Sequence, residues 1–277
     1  MLTLDALSRL TEAIDAFLEA VSRADKLRVV EPAERKIEKL MSRLFSEQGR
    51  VFAREHERYK AEYPMEESAR DELEKIMAAV SGATAEEMSM GLVEILGPVM
   101  DEAAKDFIAQ FGAEDFAEKA FSLDNPKAVK FLEDHAASMV TKIDATTRDQ
   151  MRTLLTHAAD EGWSYGKTAK AIKDRFDGFA GLKPQLHIES RAHLVAVTES
   201  RMAYEEANLQ TALGLQAAGL EMEKYWMNSG DSRVSDGCRD NTAAGWIPID
   251  EDFPSGDAAS PRFPGCRCDV HYRMKED

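Results

Sequence analysis

The chain has 277 residues and a mass of 30.8 kDa, with 44% hydrophobic residues, 31% charged residues and a formal net charge of −16. That length accommodates one large or two modest domains with a real core, and the composition is that of a folded chain rather than a disordered one. The acidic balance is spread along the sequence, which disfavours coating DNA, where lysine and arginine must displace counterions, and suits contact with basic protein surfaces.

No stretch reaches the roughly 18 consecutive apolar residues of a membrane span, and Met1-Leu2-Thr3-Leu4-Asp5 lacks the basic and apolar regions of an export signal. No membrane partner is expected, and synthesis in the cytoplasm is. In that reducing compartment three cysteines, an odd number, are expected as free thiols or metal ligands rather than a disulfide framework.

The first sixty residues predict two helices. Leu4, Leu7, Leu10, Ile14 and Phe17-Leu18 recur at three- and four-residue steps. Pro32 then suits the first turn of a second helix carrying Ile37, Leu40, Met41, Leu44, Phe45 and Val51-Phe52. These faces pack on each other or serve as a docking surface for another protein. Glu66 to Leu73 starts a charged helix after Tyr63-Pro64, and Ser81-Gly82 is expected to break it. Helical spacing returns at Met88, Leu92, Ile95-Leu96, Val99-Met100, Ala103, Phe107 and Phe111, with a bend expected at Gly97-Pro98. Met77, Met88, Met90 and Met100 fit core filling or an adaptable surface.

Asn125-Pro126 opens another helix through Leu132, Ala136 and Val140, and Thr146 or Thr147 is expected to cap the next, with Met151, Leu154-Leu155 and Ala158 on its apolar side. Gly162 ends it. Ser164 caps a helix through Ile172 and Phe176 that Asp177-Gly178 should terminate. After the Gly181 to Pro184 loop comes a long helix, about 187 to 217, whose inner face (Ala192, Val195-Ala196, Met202-Ala203, Leu209) is rich in small residues. Glu199 sits on or beside that face and must find donors, because an unpaired buried carboxylate costs several kcal/mol. Arg191, Arg201, Arg233 and Arg267 are the candidates, and Thr198 with Glu199 is expected to pin the C-terminal unit to this helix.

A composition break follows. All three cysteines, four of the nine prolines and five of the sixteen glycines fall in the last fifty residues. The order there is strand (Lys224-Tyr225-Trp226-Met227), polar turn (Asn228 to Val234), short helix around Cys238, strand (Gly245 to Ile249), long loop (Phe253 to Pro261) and strand (Asp269 to Tyr272). So small a unit buries little core and needs a clip or a partner. Cys238, Cys266, Cys268 and His271 form a Cys…Cys-x-Cys-x-x-His set compatible with a structural zinc, although the spacing is not that of a zinc finger. Packed free thiols are the alternative. Asp231, Asp236 and Asp240 read as turn formers rather than a cation site. No nucleophile elbow, zincin motif, phosphate loop or dinucleotide fingerprint is present, so no catalytic residues and no enzyme activity are expected.

Trp226, Asp231-Ser232-Arg233-Val234, Cys238, Gly245 ahead of an apolar strand, and Pro264-Gly265-Cys266-Arg267-Cys268 resemble the phage head-morphogenesis proteins, the Mu F-like minor head proteins of tailed bacteriophages. The resemblance extends upstream to Gly162-Trp163-Ser164 through Phe176 and to Arg191-Ala192 through Thr198-Glu199, roughly residues 145 to 273. Two places depart from it: Val197 stands where members often carry Arg before Thr-Glu, and Phe263-Pro264-Gly265 where they often carry His-Pro-Asn. The resemblance implies a structural protein of the procapsid and virion. It would contact the portal, major capsid or scaffold protein and assist head assembly, DNA packaging or ejection, with direct DNA contact a weaker implication. A metal-dependent hydrolase or nuclease built on the cysteine unit is the alternative.

The expected architecture is mainly α: an extended multi-helix N-terminal region with a small C-terminal α+β module of short strands. Its expected parts are a helical assembly or docking region at 1–144, the helical part of the head-morphogenesis domain at 145–219, and the cysteine-containing module at 220–277.

Overall fold

A computed structural model describes residues 4–62, 69–113, 115, 122, 126–161, 163, 165–181 and 190–275. Five long helices come first: α1 (Leu4–Glu62), α2 (Ala69–Gln110), α3 (Pro126–Asp160), α4 (Tyr165–Gly181) and α5 (Arg191–Ala217). The small module follows, as β1 (Met222–Met227), α6 (Asp236–Ala243), β2 (Ile247–Pro248) and β3 (Asp269–Met274). This is the mainly α fold with a C-terminal α+β module that the pattern predicts.

The helices are longer than their local signals imply. Pro32 lies inside α1 and Pro98 inside α2. An interior proline forfeits one backbone hydrogen bond and costs about 3 kcal/mol. Around Pro32, however, Val30, Ala33, Ile37, Met41, Leu44 and Phe45 continue one buried stripe. Each large side chain in it contributes about 1.5–3 kcal/mol, so packing outweighs the break. The break expected at Ser81-Gly82 is likewise absent, because Val80, Thr84 and Met88 keep α2 on the same face. Thr146 and Thr147 do not cap a helix. They lie mid-α3 and donate to the carbonyls of Lys142 and Ile143, one turn back. Asp177-Gly178 does not stop α4, which runs to Gly181 and buries Phe179. The signals at Tyr63-Pro64, Glu66, Gly162, Ser164 and 182–189 lie outside the described residues, as do the side chains of Leu4 to Leu18.

α1 packs on α2, α4 and α5, and α2 packs on α3 and α5. One apolar core spans all five helices, from Val30, Phe45 and Phe52 of α1 through Leu92 of α2 and Ile143 of α3 to Phe176 of α4 and Ala207 of α5. The boundary expected at 144/145 therefore falls inside α3, and the two segments it would separate share this core. Gly49 is where α1 meets α4 closely: a Cβ there would lie 2.7 Å from the Phe176 Cβ. Met77, Met88 and Met100 fill the core, whereas Met90 is 65% exposed.

α5 ends in a Schellman motif. Gly219 takes φ +101, its N–H bonds to the Gln216 carbonyl at 2.9 Å, and the Leu220 N–H bonds to the Leu215 carbonyl at 3.1 Å. That turn feeds a three-stranded antiparallel sheet of order β2-β1-β3. A second core lies under the sheet, built from Met222, Trp226, Val234, Cys238, Ile249, Phe253, Val270 and Tyr272 together with Phe107 and Ile108 of α2 and Leu209, Ala212 and Leu215 of α5. The module thus completes its small core by borrowing apolar side chains from two helices.

Candidate functional site

The residues singled out by sequence lie on α5 and in the module, and only some of them meet. Ser190 caps α5 by accepting from the His193 N–H at 3.0 Å, which sets the phase of the helix. Arg191 points toward α3, donating to the Thr147 hydroxyl at 3.0 Å and the Ile143 carbonyl at 2.8 Å, with its guanidinium over the rings of Phe45 and Phe179. Burial lowers its pKa to about 10.

Two turns on, Thr198 reaches the module: its hydroxyl accepts the Gly265 N–H at 3.1 Å and donates to the Leu194 carbonyl at 2.7 Å. Glu199, fully buried, turns the other way. Its partner is His135 of α3, at 2.7 Å, rather than any of the four arginines. Of the pair, Thr198 bonds to the module and Glu199 to α3, as adjacent helix positions point about 100° apart.

Within the module Asp231 accepts both arms of Arg267, at 2.6 and 2.8 Å, and also the side chain and backbone N–H of Arg233. These bonds, led by Arg267, hold its pKa well below the usual carboxylate range. Arg267 thereby fixes the turn after β1 to the loop before β3. Trp226 is fully buried, edge-to-face on Phe253 with ring centroids 5.1 Å apart. Gly245 takes φ +72 between α6 and β2, a conformation that favours glycine.

The cysteines converge. The sulfurs of Cys238, Cys266 and Cys268 all lie within 4.8 Å of one another, and all three residues are buried. The hydrogen bond from Cys268 lowers the Cys266 pKa to about 5 against its burial, and that same bond, with burial, pushes Cys268 up. Burial also raises Cys238. His271 does not join them. In β3 it pairs with Tyr225, while Val270 pairs with Trp226, so strand alternation puts His271 on the opposite face from the sulfur cluster.

One tether between body and module joins residues that no local pattern connects. Lys26 of α1, itself buried, lies 2.5 Å from Glu205 of α5 and 2.5 Å from Asp269 at the start of β3. Burial alone would lower the Lys26 pKa, but the two carboxylates raise it. Burial raises the Glu205 pKa to about 7 against the pull of Lys26, and the neighbouring Asp269 carboxylate adds to the rise. A signal for Lys26 did exist: it occupies the buried register of α1 one turn before Val30. Its partners lie 179 and 243 residues away, beyond any local pattern. Lys224 and Asn241 were also missed. Lys224 donates to the Ala258 carbonyl at 2.8 Å, and Asn241 brackets Ser255 with two hydrogen bonds, so both hold the long loop onto the sheet and α6.

Fold and site together describe a helical body closed by a cysteine-bearing α+β cap. Residues 149–271, from mid-α3 into β3, match the family model described as Phage Mu protein F like protein, in agreement with the resemblance carried by the Thr198-Glu199, Asp231-Arg233 and Cys266-Arg267-Cys268 motifs. No curated protein and no solved structure matches the chain. No helix among the described residues is long and apolar enough to cross a membrane.

Proposed function

We propose that the protein is a minor head protein of a tailed phage, a structural factor that joins the procapsid, contacts the portal, major capsid or scaffold protein, and assists head assembly, DNA packaging or ejection. The observation that carries this reading is the family match over residues 149–271, which includes α4, α5 and nearly the whole cap. The character of the site supports a binding role over a reaction: its charged groups are spent on each other, Lys26 with Glu205 and Asp269, Arg267 with Asp231. The net charge of −16 favours a protein partner over DNA.

Co-expression with the portal, scaffold and major capsid proteins of the same phage tests it. The expected result is co-purification with the portal oligomer or recovery in procapsids. Absence from both, or nucleic-acid cleavage with divalent metals by the purified chain, contradicts the reading.

A further inference from the structure

We infer that Cys238, Cys266 and Cys268 form a three-thiolate site for zinc that staples the loop before β3 to the first turn of α6. Tetrahedral zinc holds thiolates at about 2.3 Å, which places neighbouring sulfurs about 3.8 Å apart. Cys238 and Cys266 already stand at 4.0 Å and the whole trio lies within 4.8 Å, so small side-chain rotations bring three sulfurs onto one metal. Packing alone does not require three sulfurs to converge, and a disulfide would use only two. The ligands come from two segments 28 residues apart, which is what a clip needs in order to close a loop.

The surroundings suit a thiolate cluster. Trp226 Nε1 is buried near Cys268 with no hydrogen-bond partner, so a thiolate held there by a metal would meet an unspent donor. The Arg267 guanidinium lies near both Cys266 and Cys268 and offsets the negative charge that three thiolates leave on a divalent ion. Among the described residues no fourth His, Cys, Asp or Glu joins the group, so the fourth position falls to a non-protein ligand such as water. Three protein ligands with one open position is also the pattern of catalytic zinc, but here the cysteines are only 1%, 3% and 4% exposed, which closes the metal to a substrate and makes the site structural.

The consequence reaches the clasp. Gly265, bonded to Thr198, and Arg267, bonded to Asp231, flank Cys266, so a metal on Cys266 and Cys268 holds both contacts in place. The proposal is independent of any phage role.

The test uses the full chain, purified from zinc-supplemented medium without chelator. Elemental analysis is expected to give about one zinc per chain. His271→Ala should keep that zinc, whereas Cys266→Ser should lose it. Cobalt in place of zinc should give thiolate-to-metal charge-transfer absorption in wild type. Should the serine variant fail to fold, alkylation of the native wild type decides: added zinc should protect all three thiols and a chelator should expose them. Negligible zinc with thiols that alkylate equally with and without it, or a Cys238–Cys266 disulfide in the freshly purified protein, overturns the site. Zinc lost in His271→Ala overturns the three-thiolate assignment.

Discussion

The helical body and the cap are held together by different physics. The body buries a redundant stripe in which Ile37, Met41, Leu44, Leu92, Ile143 and Phe176 each contribute a share. Two prolines and a mid-helix Gly82 interrupt its helices without ending them. The cap has a smaller core, part of it borrowed from α2 and α5, and depends on single contacts: one ammonium between two carboxylates, one threonine hydroxyl, one bidentate arginine. Distributed packing tolerates local offence; singular contacts do not.

The largest effect that sharpens this contrast is expected from Lys26. Removing one partner of a buried ion pair leaves an uncompensated charge and costs about 3–5 kcal/mol. Lys26→Ala should lose that much in denaturant unfolding, with the loss centred on the cap although residue 26 belongs to the body. A change under about 1 kcal/mol would mean that water reaches the triad and that the tether is weak.

A smaller loss is expected at Thr198. Thr198→Val keeps the shape but removes the hydroxyl that accepts from the Gly265 N–H, at a cost of about 0.5–1.5 kcal/mol for the lost hydrogen bond. Amide exchange should accelerate at Gly265 and its neighbours while the centre of α2 is unchanged. Equal acceleration in both places would erase the distinction between body and cap.

A further signature is a pH slope. Burial raises the Glu205 pKa from 4.5 to about 7, so its share of stability is complete below its ordinary value and is lost as pH rises through the folded value. Wild type should therefore lose stability from this group between about pH 4.5 and 7. Glu205→Gln should flatten that interval. An unchanged slope assigns it to other groups.

Much of the cap was legible because its signals are local. Polar turns separate the short strands, and aromatic and β-branched residues mark β1 and β3, whose side chains then alternate between faces. The same alternation, applied to Cys268-Asp269-Val270-His271, already sets His271 out of phase with Cys268. The helices of the body were legible in kind but not in extent, because proline and threonine signals act within one turn while burial acts along the whole stripe. Pairings across the fold were not legible at all. Glu199 took His135 from 64 residues away in preference to arginines in its own helix, and the sequence around Lys26 contains neither of its partners.

Native-state hydrogen exchange on the intact wild-type chain tests most directly whether the cap is clasped to the long helix as one cooperative unit. Amides of β1 and β3 should open with the same free energy as those of α5 between Thr198 and Leu215. Exchange of β1 and β3 through a separate, much cheaper opening, with α5 still fully protected, would contradict the account.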